Sequence, residues 1–154
     1  WEIIPGCAIS QDMIVGFPTE TEEDHKETLS LMEYVKYDFG YMYKYSERPG
    51  TMAARKLEDD VPEETKSRRL TEIVDLQQKH SAIRTAEFLG KTVTVLIEKE
   101  SKKNKDEWSG RTEHNNVAVF QKGDYKPGDF VKVKVTDCTT ATLIGEAVGY
   151  SANN

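Results

Sequence analysis

Residues 11–17, Gln-Asp-Met-Ile-Val-Gly-Phe, are a short, nearly continuous apolar run. That is the pattern of a strand of the buried, parallel-sheet type. Polar residues follow at once. Thr19 and Thr21 are both N-cap candidates, and Thr19 with Glu22 has the spacing of a capping box, while Asp24 adds negative charge to the first turn. Leu29, Met32 and Val35 or Lys36 then recur at helical spacing, so a helix is predicted to about residue 36. "YDFGYMYKYS" alternates and is rich in aromatics, which predicts a second strand over about 40–45. Residues 10–46 therefore read as one β-α-β unit. One such unit cannot cover both faces of a parallel sheet. With no initiator Met at the start, the expectation is a fragment whose remaining strands lie upstream.

A Pro-Gly turn sits in the loop "SERPGTMAARKLEDDVP". A long helix is predicted from about Asp60 or Val61, with Pro62 in its first turn and Gly90 as its stop. Leu70, Ile73, Val74, Gln77 and Ser81 mark its expected buried stripe, with a shoulder at Leu76 and Ile83. From Lys91 the period changes to two. "KTVTVLIEKE", "EWSGRT", "NNVAVFQ", "DFVKVKVTDCT" and "ATLIGEAVGY" are five strand candidates separated by polar loops. Five short strands in so few residues predict a small OB-like β-barrel. The fold class is thus α/β plus all-β, divided near residue 90 into units 1–90 and 91–150.

Charge supports the division. The net charge is −6, but residues 1–90 hold 11 Lys and Arg against 18 Asp and Glu, or −7, and residues 91–154 hold 10 against 9, or +1. The second unit is only mildly basic, so charge alone does not identify a nucleic-acid binder. No run approaches the ~18 apolar residues of a membrane span. "WEIIPGCAIS" has neither the basic start nor the apolar core of a signal peptide. A cytoplasmic protein with no membrane partner is expected. Cys7 and Cys138 are far apart, match no metal-ligand spacing and read as thiols; His25, His80 and His114 read as helix-face or loop residues. No metal site is expected.

Three blocks then resemble one family. "DMIVGFPTETEED" is similar to the strand-end motif D-I-I-V-G-F-P-x-E-T-E-E-D of the radical S-adenosylmethionine methylthiotransferases. "YSERPGTMAA" resembles the family's Y-S-x-R-P-G-T-x-A, and "GRTEHNNVAVF" resembles G-R-T-x-x-N-x-V-x-x-F of its appended TRAM domain. The blocks stand in the family's order and cover nearly the whole chain. Arg48-Pro49 and Gly110-Arg111-Thr112 favour the branch that acts on tRNA, adding a methylthio group to N6-dimethylallyladenosine beside the anticodon.

The resemblance implies that the first unit is the C-terminal β-α-β part of a radical-SAM, partial TIM-type barrel with a linker helix. The strand end would be one wall of an S-adenosylmethionine pocket. Ile14 would pack on the adenine, Gly16 would leave room for the cofactor, and Ser10 and Asp12 would supply polar contacts. Arg48 would contact cofactor or substrate, or else pair with a carboxylate. The family's radical chemistry needs a CxxxCxxC motif for one 4Fe–4S cluster and three more cysteines for a second. Neither set is present, so the chain is expected to be inactive alone, to bind no cofactor itself and to hold no catalytic residue.

The barrel has its own reading. RNA-binding barrels combine cations for phosphate with aromatics for exposed bases. Lys91, Arg111, Lys132 and Lys134 are the expected phosphate contacts, Thr112 belongs to the matching motif, and Trp108 and Phe120 are candidates for stacking. For Phe120 the core reading is favoured over stacking, Trp108 reads also as cover for a loop, and Asn115 reads as a turn residue. The lysines of "SKKNKDEW" are either solvated or swept over RNA. The expected partner is the anticodon stem-loop of tRNA. Strand edges left open by truncation would favour a non-native dimer. The alternative function is a stand-alone RNA-binding adaptor.

Overall fold

The structure, a computed structural model, describes residues 3–4 and 6–151. The chain divides into two compact units: Ile9–His80, and a second running from Ser81 onward that also takes in the segment before Ile9.

In the first unit, alternation along β1 (Ser10–Val15) turns Gln11, Met13 and Val15 inward and leaves Ser10, Asp12 and Ile14 exposed. The apolar run is therefore a strand, but with one face open rather than two buried. It pairs in parallel with β2 (Phe39–Lys44), Ser10 opposite Phe39 and Val15 opposite Lys44. Between them runs α1 (Glu22–Val35), as the β-α-β reading requires. Its capping box is formed by Thr21 and Asp24, not by Thr19 and Glu22. Thr19 has φ 74 and so cannot be the extended N-cap residue. The inward faces of both strands and α1 bury Val15, Met32 and Ile73, with Met13, Leu29, Tyr37, Met42, Leu70 and Leu76 packed around them.

After a short helix, α2 (Met52–Lys56), comes the long helix α3 (Glu63–Ala86). Pro62 provides the carbonyl that accepts from Lys66 N at 3.0 Å, so proline sits at the helix start as predicted. The helix ends at Ala86, four residues before Gly90, and turns carry the chain to that glycine. The buried stripe also differs. Ile73 and Gln77 lie on it, but Lys66, Arg69 and His80 complete it, while Val74 and Ser81 are only half-buried and Ile83 is exposed. The helix is legible from its apolar spacing, but the charged members of its buried face are not, because charged residues are scored as surface.

The second unit is a closed five-stranded barrel: β3 (Thr92–Glu100), β4 (Glu107–Thr112), β5 (Val117–Gln121), β6 (Phe130–Cys138) and β7 (Thr142–Tyr150). The strand order is β3-β4-β5-β7-β6, closed by the antiparallel β3–β6 pair. β5 and β7 run parallel; every other pair is antiparallel. This is the OB-like barrel that the period-two pattern predicts. Val95, Ile97, Ala118, Phe120, Val131, Val133, Val135 and Leu143 fill it. Closure requires close backbone approach at Gly110, where a Cβ would collide with the Leu96 carbonyl oxygen and the Val95 side chain.

Gly110→Ala should therefore destabilise the barrel by roughly 1–3 kcal/mol, the usual cost of overpacking a filled core. Urea unfolding of the chain, followed by far-UV circular dichroism, checks this; an unchanged midpoint would show that the strand can move aside.

Candidate nucleic-acid interface and strand end

Two places concentrate the residues singled out above. In the first unit, β1 ends in a loop held by buried cations of α3. Arg69 is only 4% exposed. Its Nη1 donates to the Glu20 carbonyl at 3.0 Å and lies 3.2 Å from the Glu20 carboxylate; its Nη2 donates to Glu22 at 3.2 Å. The same Glu20 carboxylate accepts from Gly16 N. Thr19 N donates to Asp60 Oδ1 at 2.7 Å. Lys66, equally buried, places Nζ 2.6 Å from both oxygens of Asp59 and 5.5 Å from the centre of the Tyr45 ring. A Cβ on Gly16 would run into the Lys66 side chain, and Gly16 has φ 70. Glycine is needed here for that approach and that backbone angle. The expected space for a ligand beside Gly16 is filled by the lysine stem.

Arg68, beside this clamp but exposed, bridges Glu22 at 2.6 Å and Glu72 at 2.8 Å. Its guanidinium holds both carboxyls below their usual 4.5, with Arg69 assisting at Glu22 and His25 at Glu72. The Thr21 cap lowers Asp24 in the same way. His25 and His80 are buried on facing sides of α1 and α3, and each meets a carboxylate of the other helix: His25 Nε2 lies 2.7 Å from Glu72 and His80 Nε2 3.2 Å from Glu33.

Of the residues expected at a cofactor wall, Ser10, Asp12 and Ile14 share the exposed face of β1. Ile14 lies opposite Tyr43, and Asp12 opposite Tyr41, with Ile14, Tyr41 and Tyr43 60, 59 and 56% exposed. Gly16 is buried at the strand end, and Arg48 is exposed in the loop after β2, where its carbonyl accepts from Thr51.

In the barrel, strand alternation sorts the candidates. Phe120 is 2% exposed inside the core. Trp108 is its cross-strand partner and packs against the same core. The indole Nε1 donates to the Tyr125 carbonyl at 3.1 Å, and Lys122 Nζ sits 4.6 Å from the ring centre. Neither aromatic is a free stacking platform, which corrects that expectation. The reason is parity: Trp108 and Phe120 point the same way as Gly110 and Ala118. Thr112 is also buried; its Oγ1 accepts from Asn116 N at 3.2 Å, so it holds the β4–β5 turn. Asn115, at φ 63, is a turn residue as read. Arg111 points outward, donating from Nη1 to the carbonyl and side-chain oxygens of Asn115, both at 3.0 Å, with Glu98 3.8 Å from Nε. Lys132 and Lys134 point outward on β6, between β7 and β3, and Lys91 Nζ lies 5.7 Å from the Phe88 ring centre. Arg111 on β4 and the two lysines on β6 thus flank β3 from opposite sides.

What surrounds Arg111 is a groove of about 450 Å³. Its floor is built from cross-strand rows: Arg111, Val117 and Thr142, then Ser109, Val119 and Ile144 across β4, β5 and β7. The β3–β4 loop adds Ser101, Lys102 and Lys103, Lys99 comes from β3, and Thr139 from the β6–β7 turn. Glu98 and Glu107 are the acids on its wall. In OB barrels this strand pair and these two loops form the face that takes oligonucleotides. Sequence reading passed over the floor because Val117, Val119 and Ile144 look like core; the signal available was their parity opposite to Ala118 and Phe120. Among the described residues no group of three or more His, Cys, Asp or Glu could hold a metal ion, and no helix is long and apolar enough to cross a membrane.

Residues 86–148 match the TRAM domain. Over 99% of its length the chain is 71% identical to the tRNA-2-methylthio-N(6)-dimethylallyladenosine synthase of Christiangramia forsetii and 68% identical to the protein of that name in Flavobacterium johnsoniae. A third, in Bacteroides fragilis, is 53% identical over 95% of the chain. The chain spans about a third, 32%, of the length of each of these relatives.

Two outcomes are expected at the strand end. Arg69→Ala takes the cation from the largely buried Glu20 carboxylate, while Glu22 keeps Arg68, and should cost about 3–5 kcal/mol, whereas the exposed Arg68→Ala should cost about 0–1 kcal/mol; denaturant midpoints of the two variants compare them. For pH, the depressed Glu22, Glu72 and Asp24 contribute stability that is fully present above their unfolded values of 4.5, 4.5 and 3.8 and is lost as pH falls through the lower folded values. Thermal melts should therefore fall below about pH 4.5, and less steeply in Arg68→Gln.

Proposed function

We propose, on the premise that this chain belongs to the family of the tRNA-2-methylthio-N(6)-dimethylallyladenosine synthases and carries a TRAM domain, that it works in tRNA methylthiolation and that its barrel binds the substrate RNA through the groove at Arg111. The observation that carries this is the groove itself: lysines at its rim, hydroxyls along its rows and a floor on the β4–β5 face. The reaction would convert N6-dimethylallyladenosine beside the anticodon to its 2-methylthio derivative, in the cytoplasm, where the anticodon stem-loop is the RNA element recognised. Lys91, Lys132 and Lys134 would meet phosphates of RNA extending beyond the groove.

The first unit is proposed as part of a radical-SAM barrel. Its two-stranded parallel sheet has no further strand on either edge among the described residues, and parallel sheets are normally wider and covered on both faces. The relatives, about three times as long, have the chain to complete it. When bound, S-adenosylmethionine would supply the methyl group and the radical source. In this chain Ile14, flanked by Tyr41 and Tyr43, offers an apolar wall for the adenine, and Ser10 and Asp12 offer a hydroxyl and a carboxylate for the polar end. Gly16 takes part only through the strand-end backbone, and Arg48 supplies a cation from the next loop. Two cysteines are fewer than the thiolates a 4Fe–4S cluster takes, so neither cluster is assigned ligands here. The buried clamp of Arg69 and Lys66 orients this wall by fixing the loop that ends β1.

Binding of an anticodon stem-loop, measured by fluorescence anisotropy at several salt concentrations, tests the RNA assignment. Replacing Lys102 and Lys103 by Ala should lower the salt slope by roughly 0.7–0.9 for each lysine. An unchanged slope would remove the groove from the interface.

A further inference from the structure

We infer that the groove at Arg111 accepts a single unpaired nucleotide, and that Glu107 makes it favour a base bearing an exocyclic amino group over uracil. This rests on the reading of the groove as an RNA site. Its volume, about 450 Å³, is the scale of one nucleotide and not of a duplex. Among the described residues no aromatic ring lines it. Several of the barrel's aromatics are engaged elsewhere: Phe120 in the core, Trp108 beneath Lys122, Tyr125 against Phe120 and Tyr150. A base entering here lies on Val117, Val119 and Ile144, so its hold is weaker than on an aromatic platform and more dependent on polar contacts.

Those contacts are asymmetric. Lys99, Lys102 and Lys103 stand at the β3–β4 side, where a phosphate would sit. Of the two carboxylates, Glu98 faces the Arg111 guanidinium at 3.8 Å, while Glu107 meets only the Gln121 amide, at 3.4 Å. Glu107 lies in the same strand as Ser109, two residues along, on the same outward face. A carboxylate accepts hydrogen bonds and donates none. Adenine, cytosine and guanine present amino donors to it, whereas uracil flanks its one N–H with two carbonyl oxygens. In a duplex each base is stacked and its Watson–Crick edge is paired, so it cannot enter a groove of this size without being extruded.

The test uses this chain with stem-loop RNAs that differ at one loop nucleotide and a blunt duplex of the same length as competitor. The loop RNAs should outcompete the duplex. The best amino-bearing base should bind roughly tenfold more tightly than uracil, and Glu107→Gln should shrink that ratio several-fold while circular dichroism shows the barrel intact. Lys102→Ala with Lys103→Ala should lower the salt slope and leave the base ratio unchanged. Equal competition by the duplex, or a base ratio that Glu107→Gln does not move, overturns the single-nucleotide inference even where the lysine pair still sets the salt slope. Loss of the lysine effect overturns the RNA reading of the groove as well.

Discussion

A guanidinium that is out of water must be met by acceptors, because an unpaired buried charge is far costlier than any surface contact. Arg69 imposes that condition on the first unit. Its partners are the carbonyl and carboxylate of Glu20 and the carboxylate of Glu22, and these are the residues that lead from β1 into α1. The loop after β1 can adopt few conformations that satisfy it. Glu20 passes the constraint to Gly16 N, and Lys66 fills the volume that a side chain at residue 16 would need. Ser10, Asp12 and Ile14 owe their fixed place on the open face to this, since the strand that carries them is anchored at its carboxyl end.

The barrel depends on a different constraint, the two-residue period of its strands. Outward and inward residues alternate along β4, so a strand carries two chemistries at once. Inside are Gly110, Ala118, Phe120 and Leu143; outside are Arg111, Ser109, Val117, Val119, Thr142 and Ile144. The parallel pairing of β5 with β7 then sets Thr142 beside Val117 and Ile144 beside Val119. An up-and-down order would have placed β6 there instead, with its lysines. The groove is therefore a product of strand order as much as of composition.

Much of the architecture was legible in the chain itself. The change of period at Lys91, the five short apolar segments and the turn residues between them determined a small barrel, because alternation is a local property and burial of one face follows from it. The apolar run before Gly16, the helical spacing of Leu29 and Met32, and the aromatic strand after it likewise determined a β-α-β unit. Lys132 and Lys134 were readable as outward because their strand neighbours, Val131, Val133 and Val135, are apolar. What only the tertiary structure decided was which of these residues meet. Lys66, Arg69 and His80 are charged or polar and so look like surface on any hydropathy scale, yet α3 buries them, because acceptors from α1 and the loops meet them there. Trp108 and Phe120 have the chemistry of base stacking, and closure of the barrel turned both inward. Arg111 and the β6 lysines lie on either side of β3, and the order β3-β4-β5-β7-β6 sets β7, not β6, beside β5 at the groove. Periodicity reports the face of an element that is hidden; it carries no information on which elements become neighbours, since that is settled by hydrogen-bonded pairing between segments far apart in the chain.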